Sequence, residues 1–332
     1  MSEGPARVLS ALRRAGGEVC SGEALSGLYG KSRAQIWKDV EALRARGYAI
    51  EGARGGGYRL VGIPDRLYPE EIHEGLRTRW LARDLRWFES LDSTNRAALE
   101  LARRGAAHGT TLVAEGQTAG RGRLGRSFFS PPYLNLYSSS VLRPAVSTAR
   151  AAACILAAAV GVADAVAASV DDPEAVEIKW PNDVLLGGLK TCGILMELGA
   201  EGTRVDHLVL GIGVNLNVAR EAFPAGFRGQ ATSLASHRGR PVDRIAFARR
   251  LYESLEPLLE LCAEGGFEAL RPRFEARFRM AGRGVRVVEA GGAELRGRVR
   301  GIDGDGALLV ERGAGEVARV VAGDVTLAKE AP

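Results

Sequence analysis

The spacing of apolar residues changes twice along this chain, and that change constrains its fold more than any single motif does. Over residues 5–62 the apolar positions recur at helical intervals: Val8, Leu9 and Leu12, then Leu25 and Leu28, then Ile36, Trp37, Val40 and Leu43. Glycine and serine punctuate the runs. Gly16 and Gly17 end the first, Ser21 caps the second before Gly30, and Ser32 caps the third before Gly47. Two short strands, Tyr48–Ile50 and Tyr58–Leu60, then flank a turn containing Arg54, Gly55, Gly56 and Gly57. Three helices and a glycine-tipped hairpin are the pattern of a winged helix-turn-helix. From about Gly282 the period falls to that of a strand. Segments 285–288, 294–302, 307–311, 317–321 and 324–327 read as short strands between glycine turns, which predicts a small SH3-like β-barrel.

The middle of the chain mixes the two periods. Strands are expected at 86–91, 110–115, 134–141, 176–179, 194–198 and 208–214, with helices at 95–104, 149–169, 244–264 and 266–278. Strands grouped with packing helices point to α+β with a mixed or antiparallel sheet. Pro64 and Pro69 flank a linker from Ile63 to Glu71. The expected organisation is therefore a winged helix-turn-helix at 1–63, a central domain at 70–280 and an SH3-like C-terminal domain at 282–330. A length of 332 residues accommodates it.

Charge is uneven. Residues 1–60 hold ten Lys/Arg against six Asp/Glu, so +4 of the net +5 lies in the first fifth of the chain. A basic head of this fold suits a polyanion, with a solvated charged face as the plainer alternative. On the third helix Arg33, Gln35, Lys38 and Asp39 are expected to face outward. Arg33 and Gln35 suit base edges, while Lys38 and Arg54 of the wing suit phosphates. The four cysteines, Cys20, Cys154, Cys192 and Cys262, lack metal-ligand spacing and read as reduced, mostly buried thiols of a cytoplasmic protein. The Ala-rich run Ala151–Val170 reads as a buried helix, and no membrane partner or export signal is expected.

Four clusters carry chemistry. Gly120, Gly122 and Gly125 alternate with Arg121, Arg123 and Arg126 between two strands, following Gln117. Glycine admits close backbone approach and arginine presents planar charged donors, a pairing suited to phosphate or carboxylate oxygens. A disordered Arg-Gly tract is the plain alternative. Lys179 precedes Trp180, Pro181, Asn182 and Asp183, with Lys190 soon after. A positioned ammonium can draw a carboxylate onto phosphorus, and Asn182 and Asp183 could orient it or help hold Mg²⁺–ATP, Asp183 being the metal candidate. Ser93, Thr94 and Asn95 occupy a strand-to-helix turn, where N-capping is the ordinary role. Gly211 and Gly213 in a strand precede Asn215 and mark close approach of a ligand or another backbone.

In their order along the chain the clusters resemble the biotin–protein ligases, in the bifunctional form that is also a biotin-operon repressor and carries an N-terminal winged helix. The likeness covers nearly the whole chain. It implies a biotin–[acetyl-CoA-carboxylase] ligase that uses Mg²⁺–ATP, forms biotinyl-5′-AMP and transfers biotin to a lysine of a biotin carboxyl carrier protein. Ser93, Thr94, Gln117, Gly120, Arg121 and Lys179 would then bind biotin. Arg121, Arg123, Arg126, Phe128, Asn182, Lys190 and Asn215 would bind the nucleotide, with Lys179, Arg121 and Arg123 catalytic. Operator DNA, a ligand-bound homodimer and a corepressor role for the adenylate are implied too. The family often has Lys-Trp-Phe after the arginine loop; here Ser127, Phe128 and Phe129 stand instead, leaving Phe128 to stack on adenine. Rival readings are a ligase without DNA regulation, a lipoate ligase and a non-catalytic ligand-sensing transcription factor.

Overall fold

Capping serines set the helices of the first unit, residues 1–66, in a computed structural model that describes residues 1–53, 56–202, 204–289 and 292–327. Helix α1 (Glu3–Arg14) is followed by β1 (Cys20–Ser21) and α2 (Gly22–Tyr29), where the Ser21 hydroxyl accepts a bond from the Ala24 amide. The Ser32 hydroxyl caps α3 (Arg33–Ala45) in the same way through the Gln35 amide. Strands β2 (Ala49–Ala53) and β3 (Gly57–Gly62) form the hairpin, and β1 joins β3 to complete a three-stranded sheet. Val8, Leu12, Leu25, Ile36, Val40 and Leu43 make the core. Two residues of α3 depart from expectation. Asp39 faces inward, 5% exposed, because it lies three residues after Ile36 and four before Leu43 on the apolar stripe. Lys31, 2.8 Å away, neutralises it. Trp37 lies off that stripe and is exposed.

The second unit, residues 67–332, is built on a seven-stranded sheet. Its first half contains α4 (Pro69–His73), β4 (Leu85–Leu91), α5 (Thr94–Arg103), β5 (Thr111–Gln117), β6 (Leu136–Leu142) and α6 (Thr148–Ala167). Next come β7 (Val176–Lys179), β8 (Asp183–Leu186), β9 (Leu189–Glu201) and β10 (Arg204–Val214). Helices α7 (Ala225–Arg228), α8 (Leu234–Arg238), α9 (Arg244–Gly265) and α10 (Arg271–Glu275) follow. The strand order is β4-β5-β6-β10-β9-β8-β7, with β4 and β5 parallel and every other pair antiparallel. Helices α6 and α9 cover one face in a continuous apolar core, and α5 covers the other through Ala98, Ala102, Leu112, Val141 and Val209. The Ala-rich α6 is long and apolar enough to cross a membrane, yet 78% of that stretch is buried in the fold. Within the core a fully buried pair, Arg244 and Glu115 at 2.8 Å, also binds the Leu67 amide and the Trp87 indole. Breaking one partner of such a pair strands a charge, so it fixes the position of β5.

Two expectations about local structure change. The helix expected over 266–278 shrinks to α10, since Gly266 turns with φ 68° and Pro272 supplies no amide. Strand β8 was hidden in the sequence; it pairs with β9 through the two-residue turn Gly187–Gly188, both at positive φ.

The C-terminal barrel is a third correction. Strands β11 (Gly284–Val288), β12 (Glu294–Ile302), β13 (Leu308–Glu311), β14 (Val317–Val320) and β15 (Asp324–Leu327) form an open sheet in the order β14-β13-β12-β11-β15. All its pairings are antiparallel, so β14 and β15, at opposite edges, run in the same direction. Closing the barrel would pair them in parallel, which takes a crossover of about a dozen residues. Only Val321, Ala322 and Gly323 connect them.

Candidate functional site

Parallel pairing of β4 with β5 places the C-terminal ends of both strands on one rim, with Leu91 opposite Gln117. The residues just past β4 therefore meet the side chain of Gln117. Its carbonyl oxygen accepts from the Thr94 amide (2.9 Å) and hydroxyl (3.2 Å), and its amide donates to Ser130 (2.9 Å). Ser139 from β6 reaches the Asn95 carbonyl oxygen at 2.7 Å and the Thr94 hydroxyl at 2.8 Å. Ser93 stands at the N-cap of α5, where its side chain makes no capping bond, and it lines the pocket. Ser93, Thr94, Asn95 and Gln117 line a narrow inner chamber that opens to solvent.

The glycine–arginine segment closes over this chamber as a short hairpin. Phe128 donates its amide to the Gly120 carbonyl (2.8 Å) and Gly122 donates to Arg126 (2.7 Å), with Leu124 and Gly125 at positive φ at the tip. Its arginines reach three different walls. Arg121 bonds Glu197 at 3.1 Å, and the other oxygen of Glu197 accepts from Asn95 at 3.0 Å. Arg123 donates to the Asn182 side chain at 2.9 Å, while Arg126 forms a two-pronged bond to Asp324 on β15. Burial lowers the Arg123 pKa, with Asp183 and Asp324 opposing, and a guanidinium stays charged throughout.

Phe128 follows the hairpin and lays its ring over Gly193 and Gly213, which face each other across β9 and β10. A methyl group on Gly213 would come within 2.6 Å of the ring. Tyr137 meets the ring edge-on at 6.4 Å, and burial raises its phenol pKa, so the hydroxyl stays neutral and donates to the Pro131 carbonyl.

Beyond Phe128 lies an outer cleft of about 600 Å³. Arg123, Arg126, Lys179 and Lys190 line it together with Asp183 and Asp324, a formal balance of four cations against two anions. Asp183 sits between both lysines, 2.6 Å from Lys190 and 4.0 Å from Lys179. The turn after Lys179 is pinned by Trp180, whose indole donates to the Gly306 carbonyl at 2.9 Å. Burial pushes the neighbouring Cys192 thiol up, leaving it neutral beneath the sheet.

The sequence-derived candidates thus divide. Ser93, Thr94, Gln117 and Arg121 line the inner chamber, with Gly120 at the base of the hairpin. Arg123, Phe128, Asn182 and Lys190 line both chambers; Arg126, Lys179 and Asp183 line only the outer one. Lys190 thus borders both chambers, while Lys179 lines the outer cleft and faces the same carboxylate, Asp183. Asn215 lines neither chamber: its buried amide bonds the Thr232 carbonyl at 3.2 Å and Asn135 at 3.5 Å. Glu197, Ser130, Ser139 and Asp324 were not singled out from sequence. Glu197, Ser139 and Asp324 stand on strands and Ser130 in the loop after the hairpin, with no motif to mark any of them. In the first unit Arg33, Gln35 and Lys38 are exposed on α3, Arg33 facing Glu23 at 3.2 Å, while Arg54 lies outside the described residues.

Three family models match the chain: an HTH domain at residues 6–59, the biotin/lipoate A/B protein ligase family at 87–215 and a biotin protein ligase C terminal domain at 281–327. The bifunctional ligase/repressor BirA of Bacillus subtilis is 35% identical over 316 residues, 95% of each chain. That of Escherichia coli is 34% identical over 299 residues, 90% of each. Among solved structures, the biotin protein ligase from Aquifex aeolicus in complex with biotin and ATP superimposes with a TM-score of 0.64 at 27% identity. It covers 75% of this chain and 100% of that one.

Proposed function

Because the chain belongs to the family of bifunctional biotin–protein ligases and repressors, we propose that its inner chamber holds biotin and its outer cleft holds ATP. The protein is an ATP-dependent biotin–protein ligase. The biotin carboxylate attacks the α-phosphorus, giving biotinyl-5′-AMP and pyrophosphate. A lysine amine of a biotin carboxyl carrier protein then attacks the acyl carbon and releases AMP.

The observation that carries the residue assignment is the shared wall between the chambers. Lys190, Arg123 and Asn182 border both, where a carboxylate in one would meet a phosphate in the other. Two anions must approach there, and fixed cations stabilise the charge that develops. The polar array of Thr94, Gln117 and Ser130 is oriented by its own bonds, and Ser93 lines the same chamber to meet the uncharged ring of biotin. Phe128 is the stacking surface between the two ligands. The incoming carrier lysine must lose a proton, and the surrounding cations depress an amine pKa from its usual ~10.4.

The cleft does not fit a protein-held magnesium ion. Asp183 is engaged by two lysines and Asp324 by Arg126, and no cluster of three or more His, Cys, Asp or Glu stands among the described residues. Magnesium belongs to the substrate, as Mg²⁺–ATP, whose net charge of about −2 complements the +2 of the cleft.

The test is biotin-dependent pyrophosphate release by wild type, Lys190→Ala and Lys179→Ala. Lys190→Ala is expected to lower the rate about a hundred- to a thousandfold, the usual effect of losing one transition-state donor. Lys179→Ala, at the outer cleft only, is expected to cost about tenfold. The reverse ranking would make Lys179, not Lys190, the main cation at the reacting phosphorus.

The protein also carries the DNA-binding head of a repressor. We assign operator contact to Arg33, Gln35 and Lys38, with Arg54 on the wing, and the corepressor role to biotinyl-5′-AMP acting through a homodimer in the cytoplasm. The functional boundaries follow as 1–63, 70–280 and 282–330. Operator affinity that is the same with and without biotin plus ATP would remove the regulatory half.

A further inference from the structure

The C-terminal sheet touches both walls of the outer cleft. On one side Gly306 accepts the Trp180 indole, which pins the turn following Lys179. On the other Asp324, with Leu327, lines the cleft directly and grips Arg126. The grip is two-pronged: one terminal nitrogen donates to each carboxylate oxygen, at 3.1 and 2.5 Å. A guanidinium has five N–H donors in a rigid fork, so three remain free. Asp324 is the first residue of β15 and sits in the ladder opposite Val288, so its carboxylate stands on a strand. Arg126 stands on a hairpin leg whose tip, Leu124, adopts φ 55° and is exposed.

This pair does little for stability. Arg126 is 66% exposed, and open ion pairs of this kind are screened by water and salt. Its effect is directional. Resting on the reading of the outer cleft as the ATP site, we infer that Asp324 is a positioning residue: it aims the free donors of Arg126 at the nucleotide phosphates. The C-terminal sheet is thereby a working wall of the nucleotide site.

The opposite role is equally concrete, because an aspartate could compete with phosphate for Arg126. The sign of the effect separates the two. With Asp324→Asn in the full chain, the KM for ATP is expected to rise about tenfold, a common size for coupling between contacting residues. The kcat and the KM for biotin stay within about twofold and the melting temperature stays unchanged. Asp324→Glu keeps the carboxylate and restores most of the ATP affinity. Arg126→Lys, which keeps the charge but loses the fork, reproduces the Asp324→Asn defect and serves as the second variant should that protein misfold. In an Arg126→Gln background, Asp324→Asn adds nothing. A lower or unchanged KM for ATP in Asp324→Asn overturns the inference, as does an undiminished effect in the Arg126→Gln background. Wild type that releases no pyrophosphate with biotin and ATP overturns the reading beneath it, and the inference with it.

Discussion

The inner chamber and the outer cleft share a wall but are made differently. The chamber draws its polar groups from strand ends and from the first turn of α5, each locked by hydrogen bonds to its neighbours. The cleft draws its charges from the hairpin and from the ends of β7, β8, β9 and β15, and holds them in place by pairing cations with carboxylates. An uncharged polar ring is told from water only by donors and acceptors in fixed directions, which demands rigid supports. A polyphosphate is attracted by net charge over several ångströms, so long charged side chains suffice. The difference teaches that the two ligands should respond to different perturbations.

The largest break should come at Gln117, the hub of the chamber. Gln117→Ala strands Thr94 and Ser130 and is expected to raise the KM for biotin about a hundredfold, at 1–3 kcal/mol per buried group left unpaired. The KM for ATP should move less than about twofold. Equal shifts in both, measured by steady-state pyrophosphate release, would abolish the distinction. Gly213→Ala sharpens it from the other direction, because Phe128 borders both chambers. The new methyl displaces the ring, and overpacking of about 1–3 kcal/mol should weaken both ligands by about tenfold. An effect on one ligand alone would take Phe128 out of the shared wall.

Salt gives a smaller contrast. Raising ionic strength from 0.1 to 1 M shortens the Debye length from about 10 to about 3 Å and should raise the KM for ATP about fivefold. The KM for biotin, which has one charge to lose, should change by less than about twofold. The smallest effect is expected at the hairpin tip. Leu124 is exposed in the left-handed region, which costs a branched residue roughly 1 kcal/mol. Leu124→Asn should raise the melting temperature by about 2 °C and leave both KM values alone.

What could be read from the sequence tracks how local its cause is. The capped helices of the first unit and the strands near the glycine–arginine loop were legible, because caps and alternation act within a few residues. Asp39 was misplaced because its neutralising partner, Lys31, lies outside the helix. Lys179 and Lys190 were both legible as cations beside one motif, and both line the outer cleft. The turn at Gly187–Gly188 that carries Lys190 into the site depends on an unforeseen strand. The open C-terminal sheet was misread as a barrel because strand count is local, whereas closure depends on which edges can meet.

The tethers to the C-terminal sheet have a consequence for the birth of the protein. Trp180 and Gly306 are 126 residues apart, and Arg126 and Asp324 are 198 apart. A chain leaving the ribosome emerges in order. Every residue that lines the inner chamber has been synthesised once Gly213 is added, but the second tether waits for Asp324. A nascent chain therefore owns every part of the inner chamber more than a hundred residues before it can finish the outer cleft.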